Sequence, residues 1–241
     1  MISPFEFRVS LFNFYFQSSA ILVSSMPRSV KSLRRPAIAE QLAAMGAEFH
    51  SRGWALGTSG NYSTVLRREP LRLLITSSGL DKSALSRKDF LEIDQRSTVL
   101  KGKGQPSAET FLHLAVVAAR RAGCVLHTHS VWSTLLSERY QPQGGLAISG
   151  YEMLKGLEGV RSHAHREWIP IFANQQDIPA LAQKVAAELE HDPASHGFLL
   201  GGHGLYTWGE DLAQARRHIE IFEFLFEVTG RREFGSSPKQ S

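Results

Sequence analysis

The stretch Cys124-Val125-Leu126-His127-Thr128-His129 is an apolar run that ends in two histidines separated by one residue. Such a run predicts a buried β-strand, and residues i and i+2 of a strand project to the same face of a sheet. The two imidazoles can therefore grip one metal ion from one side. His203, which lies among glycines after a second apolar run, offers a third ligand. Three imidazoles with an open position are typical of catalytic zinc, so the pattern predicts a metal-dependent enzyme.

The chain on either side of this stretch alternates helical and strand-like patterns. Apolar spacing predicts helices beginning near Pro36, Ala108, Val131, Ile178 and Asp211, and strands at 61–66, 71–76, 91–93, 98–100, 125–128, 198–200 and 205–208. Ser107 is the expected N-cap of the second helix. Several neighbouring strands are joined by turns too short for a parallel crossover. We therefore expect an α/β fold in a single domain, with a central mixed and largely antiparallel sheet and helices on both faces.

Composition narrows the classes of partner. The 241 residues include 27 Lys and Arg and 23 Asp and Glu, a formal net charge of +4. The basic residues form no stripe and no base-stacking motif accompanies them, so no nucleic acid is expected. No apolar stretch approaches the roughly 20 residues of a membrane span, so no membrane partner is expected either. The single cysteine, Cys124, excludes an internal disulfide framework and fits a reducing, cytoplasmic compartment.

The two ends of the chain differ in character from its middle. Residues 1–30 are rich in Phe but interrupted by polar residues, which fits neither a signal peptide nor a membrane span. We expect an N-terminal extension over 1–30, either disordered or arising from an over-long gene start with Met26 as the initiator. The catalytic domain is expected at 31–235, followed by a flexible tail at 236–241.

Two segments, 57–61 and 76–82, combine glycine with small hydroxyl residues. Such loops expose successive backbone N–H groups that bind phosphate oxygens, although the same residues also simply make turns. Because the chain also has a predicted metal site, both loops are interpreted as cradles for a small phosphorylated substrate. The predicted phosphate-binding residues are Thr58, Gly60, Asn61, Ser77, Ser78, Gly79 and Lys82.

Two carboxylates are candidates for proton transfer. Glu109 lies in the first turn of a predicted helix, where the helix dipole alone would favour an acid. Glu152 lies in a glycine-rich segment at 149–156. Spacing alone does not choose between them.

A second His-x-His pair, His163 and His165, lies in a polar segment that lacks an apolar frame. We interpret it as part of a solvated or substrate-flanking loop. The histidines outside these groups are interpreted as structural; they are His50, His113, His191, His196 and His218.

Taken in order, these blocks resemble the class II aldolase and adducin-head superfamily over about residues 36–230. The matching blocks are 57–61, 76–82, 106–109, 127–129 and 202–204. Within the superfamily, segments 126–130, 152–156 and 206–210 are similar to the dehydratases that act on methylthioribulose 1-phosphate in methionine salvage.

The resemblance implies one zinc ion per subunit, held by His127, His129 and His203, and a homotetramer with sites near subunit boundaries. It implies a phosphorylated substrate and a metal-dependent hydro-lyase. The expected reaction is the dehydration of 5-methylthioribulose 1-phosphate to 2,3-diketo-5-methylthiopentyl 1-phosphate, with Glu152 as the acid and base.

Two alternatives remain open within the superfamily. The resemblance implies that sugar-phosphate aldolases use a glutamate at the Glu109 position as metal ligand and acid/base, whereas dehydratases can have Cys there. Because this chain has both glutamates, an aldolase or epimerase acting on fuculose- or ribulose-type phosphates stays possible. A non-catalytic, adducin-like interaction module lacks the metal histidines, which this chain keeps.

Overall fold

The structure is a computed structural model that describes residues 35–235. The expectations for residues 1–30 and 236–241 lie outside the described residues, and the domain limits at 31 and 235 stay predictions. No helix in the described part has both the length and the apolar character that crossing a membrane requires.

The predicted alternation of helices and strands is present. The α-helices between residues 35 and 235 are α1 (Arg35–Ser51), α2 (Thr110–Arg120), α3 (Val131–Tyr140), α4 (Ile178–His191) and α5 (Leu212–Phe234). The strands are β1 (Asn61–Arg67), β2 (Arg72–Thr76), β3 (Phe90–Ile93), β4 (Val99–Lys101), β5 (Cys124–Thr128), β6 (Gly145–Ile148), β7 (Glu167–Phe172), β8 (Gly197–Leu200) and β9 (Gly204–Gly209). Short 3₁₀ turns occur at Lys82–Ala84, Arg87–Asp89, Gln141–Gln143 and Glu152–Gly156.

The described strands form one nine-stranded sheet in the order β4-β3-β2-β1-β5-β9-β8-β7-β6. Each neighbouring pair is antiparallel except β7 and β8, which are parallel. This confirms the mixed, largely antiparallel sheet expected from the short connections. The strand that carries the His-x-His sequence lies in the middle of the sheet, between β1 and β9.

Strand periodicity separates the two faces of the sheet. Asn61, His127, Tyr206 and Phe198 are direct neighbours across β1, β5, β9 and β8, so their side chains share one face. Helix α2 packs on this face, where the ring of His113 meets that of Tyr206 with centroids 5.8 Å apart. The alternate residues point to the opposite face, where they join an apolar core with residues of α1 and α5. The helices therefore cover both faces, as expected.

The starts of two helices position residues that the sequence singles out. Ser130 and Ser133 form a reciprocal capping box at the start of α3, which fixes the chain directly after His129. Helix α2 begins later than predicted: its N-cap is Glu109, not Ser107. The hydroxyl of Ser107 instead accepts a hydrogen bond from the Glu109 N–H (3.2 Å) and so shapes the turn that leads into the helix.

Two strands were missed by the sequence analysis, and both have sequences that argue against a strand. Strand β6 has only four residues and begins with Gly145. Strand β7 contains Pro170 and begins with Glu167, residues that are depleted in strands. Strand β6 is the last strand of the sheet. Strand β7 pairs with β6 through residues 167–170 and with β8 only through Ile171 and Phe172, so Pro170 lies outside the β7–β8 ladder.

Candidate metal centre

Three histidines from two places in the chain meet at one end of the central strands. His127 lies in β5, His129 directly follows it, and His203 lies in the turn between β8 and β9. One ring nitrogen of each lies within 4.8 Å of the others, the only group of potential metal ligands this compact within residues 35–235. The Nε2 atoms of His127 and His129 are 2.8 Å apart. The three predicted metal ligands are therefore brought together.

The ring of His127 is fixed at one nitrogen and on one face. Its Nδ1 lies 2.9 Å from the backbone oxygen of Leu205, which can only accept, so Nδ1 carries the proton. The ring stacks on that of its cross-strand partner Tyr206, with centroids 3.9 Å apart. Burial, followed by repulsion from His129, holds the pKa of His127 well below its ordinary value. Nε2 thus keeps its lone pair and faces the cluster as a neutral ligand.

Close backbone packing places the turn that carries His203. A Cβ on Gly204 would lie 2.1 Å from the backbone oxygen of Thr128, so only glycine lets β9 approach the end of β5 this closely. Gly202 has a φ of +62°, and its N–H donates to the hydroxyl of Ser137 in α3 (3.0 Å). The turn is therefore held by both the sheet and the helix.

Glu109 brings a carboxylate to the same cluster. Its Oε1 is 3.1 Å from Nε2 of His203 and 3.8 Å from Nε2 of His127. Its Oε2 accepts a hydrogen bond from the side-chain amide of Asn61 (2.6 Å). Burial alone would raise the pKa of Glu109, but the hydrogen bond from His203 and the charge attraction of both histidines outweigh burial and lower the pKa far below its usual range. The carboxylate is therefore negatively charged at physiological pH.

The donor set fits a divalent metal ion. Burial, followed by repulsion from His203, lowers the pKa of His129 to about 4, so its ring is also neutral. Nδ1 of His203 is buried without a hydrogen-bond partner among the described residues. Three imidazoles and one carboxylate whose ligand atoms converge on one point are a donor set that zinc and related ions prefer.

The two predicted phosphate loops form one cavity beside the histidines. The cavity has a volume of ≈100 Å³, and Ser107, Glu109 and His129 also line it. Every predicted phosphate-binding residue lines it: Thr58, Gly60, Asn61, Ser77, Ser78, Gly79 and Lys82. At Gly60, φ is +77° and a Cβ would lie 2.7 Å from the backbone oxygen of His127, so this loop position needs glycine.

Lys82 joins the two loops and brings a positive charge to the cavity. Its ammonium donates to the backbone oxygens of Thr58 (3.0 Å) and Leu80 (2.6 Å). The side chain is almost fully buried, and burial lowers its pKa. An ammonium has three donors, so one remains beyond the two that hold the loops together.

Glu152 lies away from this cluster within one chain. It begins the 3₁₀ turn Glu152–Gly156, and its side chain is 70% exposed. Its carboxylate contacts the ammonium of Lys155 (2.6 Å) and Nδ1 of His163 (3.3 Å), and the hydrogen bond from Lys155 lowers its pKa. Of the two candidate acids, only Glu109 is brought to the histidines by the fold of a single chain.

The second His-x-His pair has a different arrangement. His163 is exposed, as expected, but His165 is half-buried and its Nε2 lies 2.8 Å from the carboxylate of Glu167. Glu167 is buried at the start of β7 and also contacts Nδ1 of His196 (3.0 Å). The segment is therefore anchored by a buried carboxylate, whereas the sequence analysis interpreted it as a solvated or substrate-flanking loop.

Sequence reasoning missed two residues beside the site. Ser107 was assigned to a helix cap but lines the cavity formed by the two predicted phosphate loops. Tyr206 lies opposite His127 across β5 and β9, and its ring also stacks on Phe198 with centroids 4.8 Å apart. The alternation of residues 204–209 predicts a strand but not its register, so the pairing of Tyr206 with His127 could not be inferred.

Comparison with known proteins gives a match over most of the chain. The family model of the class II aldolase and adducin N-terminal domain matches residues 40–229. A methylthioribulose-1-phosphate dehydratase from Pseudomonas fluorescens is 46% identical over 197 residues, 81% of this chain and 93% of that protein. A methylthioribulose-1-phosphate dehydratase from Pectobacterium atrosepticum is 46% identical over 197 residues, 80% of this chain and 95% of that protein.

Solved structures support the fold independently. An L-fuculose-1-phosphate aldolase from Thermus thermophilus aligns with a TM-score of 0.67 at 22% identity, and the alignment covers 85% of this chain and all of that one. At this identity the likeness concerns the fold alone.

Proposed function

The chain belongs to the class II aldolase and adducin N-terminal domain family, and we infer from its dehydratase relatives that it is a metal-dependent hydro-lyase. It removes water from 5-methylthioribulose 1-phosphate and yields 2,3-diketo-5-methylthiopentyl 1-phosphate, a step of methionine salvage. The observation that carries this assignment is the 46% identity, over nearly the full length of the relatives, to methylthioribulose-1-phosphate dehydratases. The assembled histidine cluster supports catalysis and argues against a non-catalytic adducin-like module.

We propose that His127, His129 and His203 hold one zinc ion per subunit. Three converging imidazoles beside a carboxylate support a divalent ion, and zinc is the metal most typical of such donors. A divalent ion bound there supplies Lewis acidity at the carbonyl oxygen of the substrate, which makes the neighbouring C3 proton more acidic. Glu109, charged and hydrogen-bonded to Asn61, helps to keep the cluster at a favourable potential for a cation.

The two loops around the cavity bind the phosphate group in this proposal. Backbone N–H groups and the hydroxyls of Thr58, Ser77 and Ser78 act as donors, and Lys82 adds positive charge. The substrate carries its phosphate on C1 and its carbonyl on C2. The shared cavity of the loops and His129 supports this reading, because the two groups must be bound side by side.

The proton steps need a carboxylate that reaches C3 and then C4. We propose Glu152 for both: it takes the C3 proton and returns a proton to the departing C4 hydroxyl, and the resulting enol tautomerises to the diketone. Glu109, whose very low pKa makes it a weak base, keeps the role of a charged partner of the histidines.

We further propose that Glu152 acts on the cluster of a neighbouring subunit in a homotetramer. Its exposure and its absence from the cavity of its own chain support this, as does the expected position of family sites near subunit boundaries. Mixing of two inactive variants, Glu152→Gln and His129→Ala, tests it. Subunit exchange should restore activity through sites that combine the intact His129 of one chain with the intact Glu152 of another. Mixtures that stay inactive despite proven exchange would contradict the proposal.

The placement of Glu109 in the cluster favours one alternative, a retro-aldolase that breaks the C3–C4 bond with Glu109 as acid and base. Product analysis separates the two reactions. Zinc-loaded protein is incubated with 5-methylthioribulose 1-phosphate and the mixture followed by NMR, with His129→Ala as the control. Diketone phosphate supports the dehydratase, whereas dihydroxyacetone phosphate with an aldehyde would establish the aldolase.

A further inference from the structure

A series of hydrogen bonds between buried polar side chains leads from Ser63 to Glu109. The hydroxyl of Ser63 lies 2.8 Å from Nδ1 of His113, and Nε2 of His113 contacts the side-chain oxygen of Asn61. The amide nitrogen of Asn61 contacts Oε2 of Glu109 at 2.6 Å. Ser63, His113 and Asn61 are all buried. The sequence analysis took His113 for a structural residue and Asn61 for a phosphate ligand, so neither assignment predicts this link.

The direction of each hydrogen bond follows from the chemistry of its partner. The side-chain nitrogen of Asn61 faces Glu109 and donates to its Oε2, and the side-chain oxygen of Asn61 faces His113. His113 must then donate from Nε2, which leaves Nδ1 to accept from the hydroxyl of Ser63. Burial lowers the pKa of His113 to about 4, which agrees with the neutral ring that this pattern requires. One orientation of all four side chains satisfies the whole chain of bonds.

The backbone places this chain of bonds against the metal centre. Glu109 and His113 are four residues apart at the start of α2, so both lie on the helix face that meets the sheet. Asn61 is the direct cross-strand partner of His127. The carboxylate of Glu109 is therefore held by Asn61 on one oxygen, while its other oxygen faces His203 and His127.

We propose that His113 is a positioning residue that acts through the side-chain amide of Asn61 to aim the carboxylate of Glu109 at the metal centre. The inference rests on the proposed function, since it concerns the same site. Without the donor at His113, the amide of Asn61 loses the contact that fixes its orientation, and Glu109 loses its alignment. Outer partners of metal sites affect metal affinity or activity by about 10- to 100-fold, and the effect of His113 should fall in this range.

Two substitutions at position 113 separate positioning from packing. Gln at 113 retains an N–H donor near the place of Nε2, whereas Leu fills similar volume without a donor. We expect His113→Leu to lower kcat by about 10- to 100-fold with little change in KM, and His113→Gln to recover most of that loss. The matched control is His218→Leu. Like His113, His218 is a buried histidine with a hydrogen-bonded ring, but its Nδ1 bonds to the backbone oxygen of Trp208 (2.7 Å), and it lies outside the hydrogen-bonded series Ser63–His113–Asn61–Glu109.

A direct readout of Asn61 makes the test independent of turnover. The sequence has three asparagines, Asn13, Asn61 and Asn174, so selective ¹⁵N labelling of asparagine gives few side-chain signals. The Asn61 signal is identified by its loss in Asn61→Leu. We expect slow hydrogen exchange of this amide in the wild type and in His113→Gln, and faster exchange in His113→Leu. If the wild type makes no diketone phosphate, the proposed function is wrong. The hydrogen exchange of the Asn61 amide still shows in that case whether His113 orients Asn61.

A double-mutant cycle completes the test. If His113 acts through Asn61, His113→Leu and Asn61→Leu together lower kcat no further than Asn61→Leu alone. Additive losses, or unchanged Asn61 exchange in His113→Leu, would overturn the proposal. If His113→Leu does not fold, Ser63→Ala replaces it: faster Asn61 exchange supports the proposal and unchanged exchange overturns it.

Discussion

The chain contains the same tripeptide pattern twice, and the two copies do different things. His127-Thr128-His129 ends a buried central strand and meets His203. His163-Ala164-His165 lies in a polar loop, where His165 pairs with the carboxylate of Glu167. Because the spacing is identical, the surrounding structure must account for the difference. Burial keeps the rings of His127 and His129 neutral and able to bind a cation, whereas the carboxylate of Glu167 occupies a ring nitrogen of His165.

The largest expected effect comes from removing one ligand of the first pair. His129→Ala should lose both the bound ion and activity, by more than the ~10- to 100-fold typical of an outer partner. His163→Ala, the matched change in the second pair, should keep one ion per subunit. Metal content by elemental analysis, measured beside turnover, checks both. Full ion occupancy in His129→Ala, or loss of the ion in His163→Ala, would reverse the assignment of the two pairs.

The second-largest effect is expected at Glu152, whose carboxylate contacts His163 of the second pair. Glu152→Gln keeps the shape of the side chain but cannot take up a proton at C3. Since general acid–base catalysis contributes about 10²- to 10⁴-fold, kcat should fall by that amount while the ion stays bound. Steady-state kinetics on variant protein of verified metal content gives the answer. Near-normal turnover would remove Glu152 from the mechanism and promote Glu109.

Thr128, which lies between His127 and His129, is hydrogen-bonded to a buried carboxyl group. Thr128 donates to Glu223 of α5 (3.1 Å), and burial raises the pKa of Glu223 to about 7. The folded state thus holds this proton more tightly than the unfolded chain does. The stabilisation is complete below about pH 4.5 and declines as pH rises toward 7, by about 3 kcal/mol in total.

Glu223→Gln should remove this pH dependence, because an amide does not ionise. Denaturant unfolding of wild type and variant between pH 4.5 and 8 measures the difference in free energy, and the effect of pH on the metal histidines cancels in the comparison. A difference that does not change with pH would show that Glu223 is charged throughout.

The smallest expected effect is on the pH dependence of stability, through the contact of His196 with Glu167, the carboxylate that also binds His165. Burial lowers the pKa of His196, but its hydrogen bond and attraction to Glu167 outweigh burial and raise the pKa above its ordinary value. This stabilisation is present below about pH 6.5 and is lost as pH rises through the raised pKa. His196→Asn keeps a donor near Nδ1 without the charge. The wild type should exceed this variant in unfolding free energy at pH 6, with a gap that narrows by pH 8.

Local patterns in the sequence predict much of the fold and the core of the site. The apolar run before His127 and the glycines around His203 encode a strand end and a tight turn, so the three predicted ligands follow from local signals. The two loops that line the cavity at 57–61 and 76–82 follow likewise, because glycine and hydroxyl residues shape their own backbone. Strands β6 and β7 could not be predicted, since their pairing rather than their residues makes them strands.

The contacts around the histidine cluster could not be predicted, because they depend on strand register and on residues far apart in the sequence. Tyr206 stacks on His127, and His113 reaches Asn61, only because β1, β5 and β9 align in one register under α2. Glu109 and Glu152 are both acids in short motifs, and nothing local distinguishes the one that the fold brings to the histidines.

The most direct test of the central claim is an anomalous-scattering map from crystals of the zinc-loaded protein, recorded at the zinc absorption edge. The account predicts one strong peak per subunit between the imidazoles of His127, His129 and His203. A peak at His163 and His165 instead, or no peak at the first cluster in protein that contains zinc by elemental analysis, would contradict it.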